Sequence, residues 1–162
     1  MAKRSGVPKL ANRIRGMKAQ SAGKAFESAF ETICVQNNFT FVRIPNSCRT
    51  IPRPPYLVRI KSPFDYVIAY RGQAIMIDVK STEGTSFSYS DCDQKQLDNL
   101  MACRKDCLAG YIVHYVMEDK IVFYDVLNLR ALTPRKSLSH DDGVTLGQFG
   151  YRCDLHKLLL YR

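Results

Sequence analysis

Apolar residues recur along this chain at two periods, and the switches between them divide it into elements. From Ser21 to about Asn38, Ala22, Phe26, Ala29, Phe30 and Ile33 return at helical spacing, which predicts a first helix with Ser21 as its N-cap. FTFVRI, residues 39–44, alternates as a strand does and stops at Pro45. Pro52, Pro54, Pro55 and Pro63 then punctuate an irregular excursion over 46–63, which cannot be a central strand because proline brings no N–H to a ladder. DYVIAY (65–70) and QAIMIDVK (73–80) are two strands separated by Arg71 and Gly72, a short hairpin signal. Ser90 to Asp93 has the S-x-x-D form of a capping box and opens a second helix, with Leu97, Leu100, Met101 and Leu108 on one side. GYIVHYVM (110–117) and KIVFYDV (120–126) predict another hairpin turning at Glu118 and Asp119. Past 127 the pattern weakens to a helical turn at 127–132, a polar loop from Thr133 to Gly150 and a short amphipathic end, LHKLLLYR. The first 20 residues, with Gly6, Pro8 and Gly16 and no apolar period, read as a flexible basic arm.

The order helix, three strands, helix, two strands predicts an α/β fold, one mixed β-sheet flanked by helices. Residues 21–162 form a single domain in this reading, long enough to bury about 70% of the unfolded surface without help from a metal or a disulfide. No apolar run approaches a membrane span, and the basic start lacks the apolar stretch of a secretory signal, so the chain is expected in the cytoplasm: nucleoid-associated, or in the host-cell cytoplasm if viral. The six cysteines are accordingly read as thiols. Cys103 and Cys107, one helical turn apart with His114 beyond them, are better taken as small residues on the core side of a helix than as zinc ligands.

The formal net charge is +9, and residues 1–24 hold seven basic residues and no acid: Lys3, Arg4, Lys9, Arg13, Arg15, Lys18 and Lys24. A second cluster, Arg43, Arg49, Arg53, Arg59 and Lys61, surrounds the proline-rich excursion. An excess of this size favours a polyanionic partner through counterion release, and nucleic acid is the first candidate.

Against that background, Asp65, Asp78 and Lys80 are out of place in segments otherwise fit for a buried hairpin. Alternation puts Asp78 and Lys80 on one face of their strand and Ile77 and Val79 on the other, and an antiparallel partner starting at Asp65 brings a second carboxylate close. Two carboxylates suit Mg²⁺, a hard cation, and a neighbouring lysine can position or deprotonate a water. The D/E-x-K triplet also occurs at Asp93-Gln94-Lys95 and Glu118-Asp119-Lys120, at a helix start and a turn. Only Asp78-Val79-Lys80 ends an apolar strand, where a surface ion pair is the competing explanation.

The run from Gly23 to Leu100 resembles the PD-(D/E)XK nuclease superfamily, and within it the RecU-type and archaeal-type Holliday junction resolvases. The resemblance rests on four elements in order: G-K-A-F-E with Glu27, S-P-F-D with Asp65, D-V-K-S-T with Asp78 and Lys80, and Q-L-D-N-L with Gln96. Phe64 stands where the literal P-D pair would have proline, Glu31 competes with Glu27, and Gln94 competes with Gln96. The resemblance implies a restriction-endonuclease-like fold and a Mg²⁺-dependent endonuclease, with Mn²⁺ as a substitute, that cuts four-way junctions in pairs of symmetric incisions. It implies Asp65, Asp78 and the Val79 carbonyl as metal ligands, and Glu27 as a ligand directly or through water. Lys80 would activate or orient the attacking water, and Gln96 would support water or phosphate.

In RecU-like enzymes the excursion over 46–61 is a stalk that enters the junction, which would make Arg49, Arg53, Tyr56, Arg59 and Lys61 DNA contacts alongside Lys3, Arg4, Arg13, Arg15 and Lys18; a plain surface loop is the other reading. Two incisions by a chain with one such constellation call for a homodimer. FTFVRI with Tyr111, Tyr115, Phe123 and Tyr124 is the expected apolar seam. Two other readings stay open: a nuclease of the same fold acting on duplex or ends, and a non-catalytic basic DNA-binding protein.

Overall fold

The computed structural model describes residues 7–52, 55–130, 136–149 and 152–160, of which 7–20, 22, 48–52, 55–59 and 130 are described by backbone alone. A long helix, α1 (Val7–Gln36), leads into β1 (Thr40–Arg43). Next come β2 (Ser47–Pro52), β3 (Pro55–Ile60), β4 (Tyr66–Tyr70), β5 (Gln73–Thr82) and the short β6 (Ser86–Ser88). Helix α2 (Gln94–Cys103), β7 (Leu108–Tyr115), β8 (Lys120–Asp125), α3 (Val126–Arg130), β9 (Ser137–Ser139) and β10 (Val144–Gln148) complete the regular elements before a 3-10 segment at Leu155–Leu160.

Six strands form one sheet in the order β1-β4-β5-β7-β8-β10. Only β5 and β7 run parallel, joined by the crossover through α2, so the sheet is mixed, as the sequence predicts. Alternation along β5 and β7 divides the core in two. Ile75, Ile77 and Val79 point to a cluster with Phe26, Phe30 and Ile33 of α1 and with Leu155 and Leu158 of the C-terminal segment. On the opposite face Tyr111, Val113 and Tyr124 pack with Leu97 and Leu100 of α2, Leu129 of α3, and Phe87 and Leu138 of the β6–β9 pair. The β4–β5 turn is the hairpin that Arg71-Gly72 suggests: both residues take positive φ, 47° and 79°, the requirement of a two-residue type I′ turn and the reason for a glycine there.

Several expectations need correction. The first helix starts at Val7, fourteen residues before Ser21, so most of the expected arm is helical and Ser21 lies inside the helix rather than capping it. Pro8 falls in the first turn, where an N–H has no helical partner anyway, and a single Gly16 costs only about 1 kcal/mol against the rest of the helix. Lys3 and Arg4 lie outside the described residues; Arg13, Arg15 and Lys18 stand on α1.

The excursion over 46–63 is a regular antiparallel ribbon, β2 with β3, paired from Ser47↔Ile60 to Pro52↔Pro55 and separate from the main sheet. Proline is tolerated in a two-stranded ribbon because every strand there is an edge. Arg53 lies outside the described residues.

Asp93, not Ser90, caps α2, accepting from the amides of Lys95 and Gln96, while the capping box belongs to Ser88 and Asp91 one turn earlier. Leu108 opens β7 rather than closing the helix. The polar loop contains the sixth strand, β10, whose inward Leu146 is buried while Thr145 and Gln148 face out. Tyr111, Tyr115, Phe123 and Tyr124 are fully buried, so they are core and not an apolar seam. Among the described residues, no helix is long and apolar enough to cross a membrane.

Candidate active site

The hairpin register places the charged residues. Tyr66 pairs with Ile77, and the Asp65 amide donates to the Ile77 carbonyl at 3.1 Å, so the next opposed pair is Asp65 with Asp78. Both therefore belong to the sheet face opposite α1. Asp78 is fully buried beneath α2, and Lys80, two residues on, projects from the same face with its Nζ 2.6 Å from Asp78 Oδ2. The approach lies outside hydrogen-bond geometry, and both Asp78 oxygens are buried without a hydrogen-bond partner. Asp65 is fixed from the other side: its Oδ2 accepts the Val79 amide at 2.9 Å. A strand residue directs its N–H and C=O to the same edge, so the Val79 carbonyl faces the edge on which Asp65 stands, before β4 begins.

Helix α2 supplies the fourth group. Its cap at Asp93 sets the first turn so that Gln96 points down onto the sheet, 7% exposed, with Oε1 accepting from Lys80 Nζ at 3.4 Å. Gln94 is exposed and bonds Asp98 instead, at 2.8 Å. Asp65, Lys80 and Gln96 line a cleft of about 260 Å³ together with Asn46, Lys61 and Ser62. Asn46 and Lys61 are the residues immediately outside the β2–β3 ribbon, so the ribbon rises from the rim of the cleft. Its base is fastened twice: the Ser62 amide donates to Asn46 Oδ1 at 2.9 Å, and Lys61 Nζ lies 2.6 Å from Asp93 Oδ2.

Burial pushes the Asp78 carboxyl up to about 7; the Lys80 ammonium opposes this and the Asp65 charge adds to it. Burial also works against the charged form of Lys80, but the Asp78 carboxylate, with Asp65 behind it, outweighs that and raises the ammonium above its ordinary value. Tyr111, opposite Asp78 in the parallel ladder, is buried with its hydroxyl unpartnered and raised by that burial. A carboxylate whose oxygens lack hydrogen-bond donors, beside a second carboxylate and a strand-edge carbonyl, is a set of hard oxygen donors that fits a small divalent cation. Among the described residues no group of three or more His, Cys, Asp and Glu forms a cation cage, so the fit rests on two carboxylates and the backbone.

Glu27 is not brought to this group. It lies on α1, on the other side of the sheet, ion-paired to Arg43, whose second nitrogen lies 3.5 Å from Glu31. Tyr66 completes that network, donating to Glu31 Oε1 at 3.0 Å. Of the expected site, the structure assembles Asp65, Asp78, Val79, Lys80 and Gln96. Sequence reasoning missed Asn46, Ser62 and Asp93; the available signal was that Asn46 and Lys61 bracket the proline-rich stretch.

Comparison with known proteins agrees with this architecture. The profile of a family described as RecU, Recombination protein U, matches residues 34–149. No curated protein matches the chain significantly. Among solved structures the chain is similar to Hjc of Archaeoglobus fulgidus, described as a Holliday junction resolvase from an archaeal hyperthermophile, with a TM-score of 0.56 and 15% identity over 76% of this chain and 95% of that one. At that identity the likeness speaks for the fold, a mixed sheet flanked by helices.

Proposed function

The chain belongs to the RecU family, and on that premise we propose that it is a metal-dependent DNA endonuclease that resolves four-way junctions. The observation that carries the proposal is one cleft at the foot of the ribbon lined by Asp65, Lys80 and Gln96, with buried Asp78 beneath it holding Lys80. A ribbon on the rim of the cleft gives a reason to prefer branched DNA over a plain duplex. The +9 charge and the basic residues on α1 and the ribbon, Arg49 and Arg59 with Tyr56 between them, support a polyanionic, base-stacking partner.

Asp65, Asp78 and the Val79 carbonyl would hold Mg²⁺, or Mn²⁺ in its place. Glu27, engaged by Arg43, can join them only by giving up that pair. The cation would supply Lewis-acid polarisation of a phosphoryl oxygen and offset the charge of the reacting phosphate. Lys80, held by Asp78 and Gln96, orients the attacking water with its N–H groups and stabilises negative charge growing on the phosphate oxygens. Gln96 keeps Lys80 in place through its Oε1, leaving its amide N–H groups for water or phosphate. Val79 N–H fixes the Asp65 carboxylate so that its other oxygen faces the cleft.

Two incisions in one junction call for two such sites, so we propose a homodimer, with light scattering expected at about twice 18.5 kDa. Asp78→Asn tests the assignment, because it removes a ligand and one negative charge buried beneath the cleft. Cleavage of a labelled four-way junction should be lost while junction binding is kept or tightened; turnover at the wild-type rate would remove Asp78 from the mechanism.

A further inference from the structure

The carboxylate of Asp93 has two unrelated attachments. One oxygen caps α2, accepting from the amides of Lys95 at 3.1 Å and Gln96 at 3.3 Å. The other holds Lys61 Nζ at 2.6 Å. Lys61 closes the ribbon and also lines the cleft with Asp65, Lys80 and Gln96. Its side chain is 62% exposed and that of Asp93 28%, so the pair is open to solvent and to an incoming strand. An ion pair this exposed contributes little and is weakened by salt, whereas a backbone phosphate in the cleft offers a lysine a full charge. The Lys61 ammonium is the main influence holding the Asp93 carboxyl below its usual range, and the helix amides and helix dipole continue to compensate its charge when Lys61 leaves.

We propose that Lys61 is a phosphate-contacting residue of the cleft that Asp93 holds in place until DNA arrives, after which the ammonium passes from the Asp93 carboxylate to a backbone phosphate beside the reacting one. The ribbon is then released from the N-terminus of α2 as the cleft fills, while Asp93 keeps capping the helix that carries Gln96. Asp93 is a positioning residue in this arrangement, and Lys61 is the link between ribbon and cleft. The inference rests on the nucleic-acid reading of the same cleft.

A double-mutant cycle tests it. Asp93→Asn keeps an N-cap acceptor of equal quality but loses the charge that retains Lys61. Lys61→Gln removes the ammonium. Binding of a fluorescent four-way junction and of a linear duplex is measured in EDTA across a salt series. Asp93→Asn should tighten both by about two- to fivefold in the wild-type background, the worth of one exposed pair. In the Lys61→Gln background it should change neither, and Lys61→Gln alone should lower the log-log salt slope by about 0.9. Unchanged melting temperatures and helix content in both variants separate this from loss of the cap. Equal tightening in both backgrounds would mean that Asp93 acts only as a negative charge near DNA and would overturn the proposal, as would no tightening in either. Wild-type junction cleavage is recorded alongside: a protein that cuts junctions but shows no coupling refutes the transfer alone. One that neither cuts nor prefers junctions refutes the resolvase reading, while the coupling is still read on duplex.

Discussion

Asp78→Asn is also a test of how the site is paid for in stability. Asp78 is fully buried, and its carboxyl rises from the ordinary 3.8 to about 7. A rise of this size is worth about 4 kcal/mol at 1.36 kcal/mol per unit. Because the folded state binds the proton more tightly than the unfolded chain, this stabilisation is complete below pH about 4. It is lost as pH rises to about 7, and above that the native protein carries an ionised buried carboxylate that the Lys80 ammonium compensates only in part. Asparagine has nearly the same shape and never ionises. At pH 4 the variant should therefore melt with the wild type, and at pH 8 it should be the more stable protein.

The gain is less than the full figure, because Lys80 is left without its counterion; about 2 kcal/mol remains, or roughly 4 to 8 °C for a chain of this size. Calorimetry in EDTA at pH 4, 6 and 8 reads the growth of the difference directly. Adding Mg²⁺ at pH 8 should raise the melting temperature of the wild type and not of the variant, since only the wild type retains both carboxylates. A variant that is less stable than the wild type at pH 8 would show that Asp78 is well compensated as an anion, and the reasoning from its unpartnered oxygens would fail.

Two other outcomes follow from the same geometry. Gly110→Ala puts a Cβ 2.1 Å from the Tyr124 carbonyl oxygen and 2.8 Å from the Phe123 ring, both in the adjacent strand, so the melting temperature should fall by at least about 6 °C or the protein should not fold; an unchanged value would contradict the β7–β8 register. A chain starting at Ser21 loses Lys3, Arg4, Lys9, Arg13, Arg15 and Lys18 but keeps Phe26 and Phe30 in the core, so it should stay folded and bind DNA with a flatter salt slope, each lost phosphate contact removing about 0.9; an identical slope would mean that these residues do not touch DNA.

The parts of this molecule that could be read from sequence are those in which one periodicity dominates. Phe26, Phe30 and Ile33 repeat on one helical stripe, and β4, β5, β7 and β8 are apolar enough that no other element fits them. Asp78 and Lys80 stood out for the same reason, as charges inside a pattern that should exclude them. What could not be read depends on tertiary contact. Strand β10 shows a single buried leucine, Leu146, among polar residues and a register shift, and only pairing with β8 makes it a strand. The β2–β3 ribbon pairs only with itself, outside the main sheet, so proline content argued for irregularity. Tyr111, Tyr115 and Tyr124 exceed what one helix can cover, but β6, β9 and α3 extend the layer over that face, and Phe123 packs on the other face with α1. Glu27 fits its motif by spacing, yet Arg43 at the end of β1 claims it, a pairing across sixteen residues that no local pattern announces.

The most direct test of the account is cleavage of a four-way junction labelled in turn on each strand, with a linear duplex of the same sequence alongside, in Mg²⁺ and in EDTA. A metal-dependent resolvase should give paired nicks at symmetric positions in two strands of like polarity, only with the metal, and little cutting of the duplex. Equal cutting of duplex and junction, single unpaired nicks, or full activity in EDTA would contradict it.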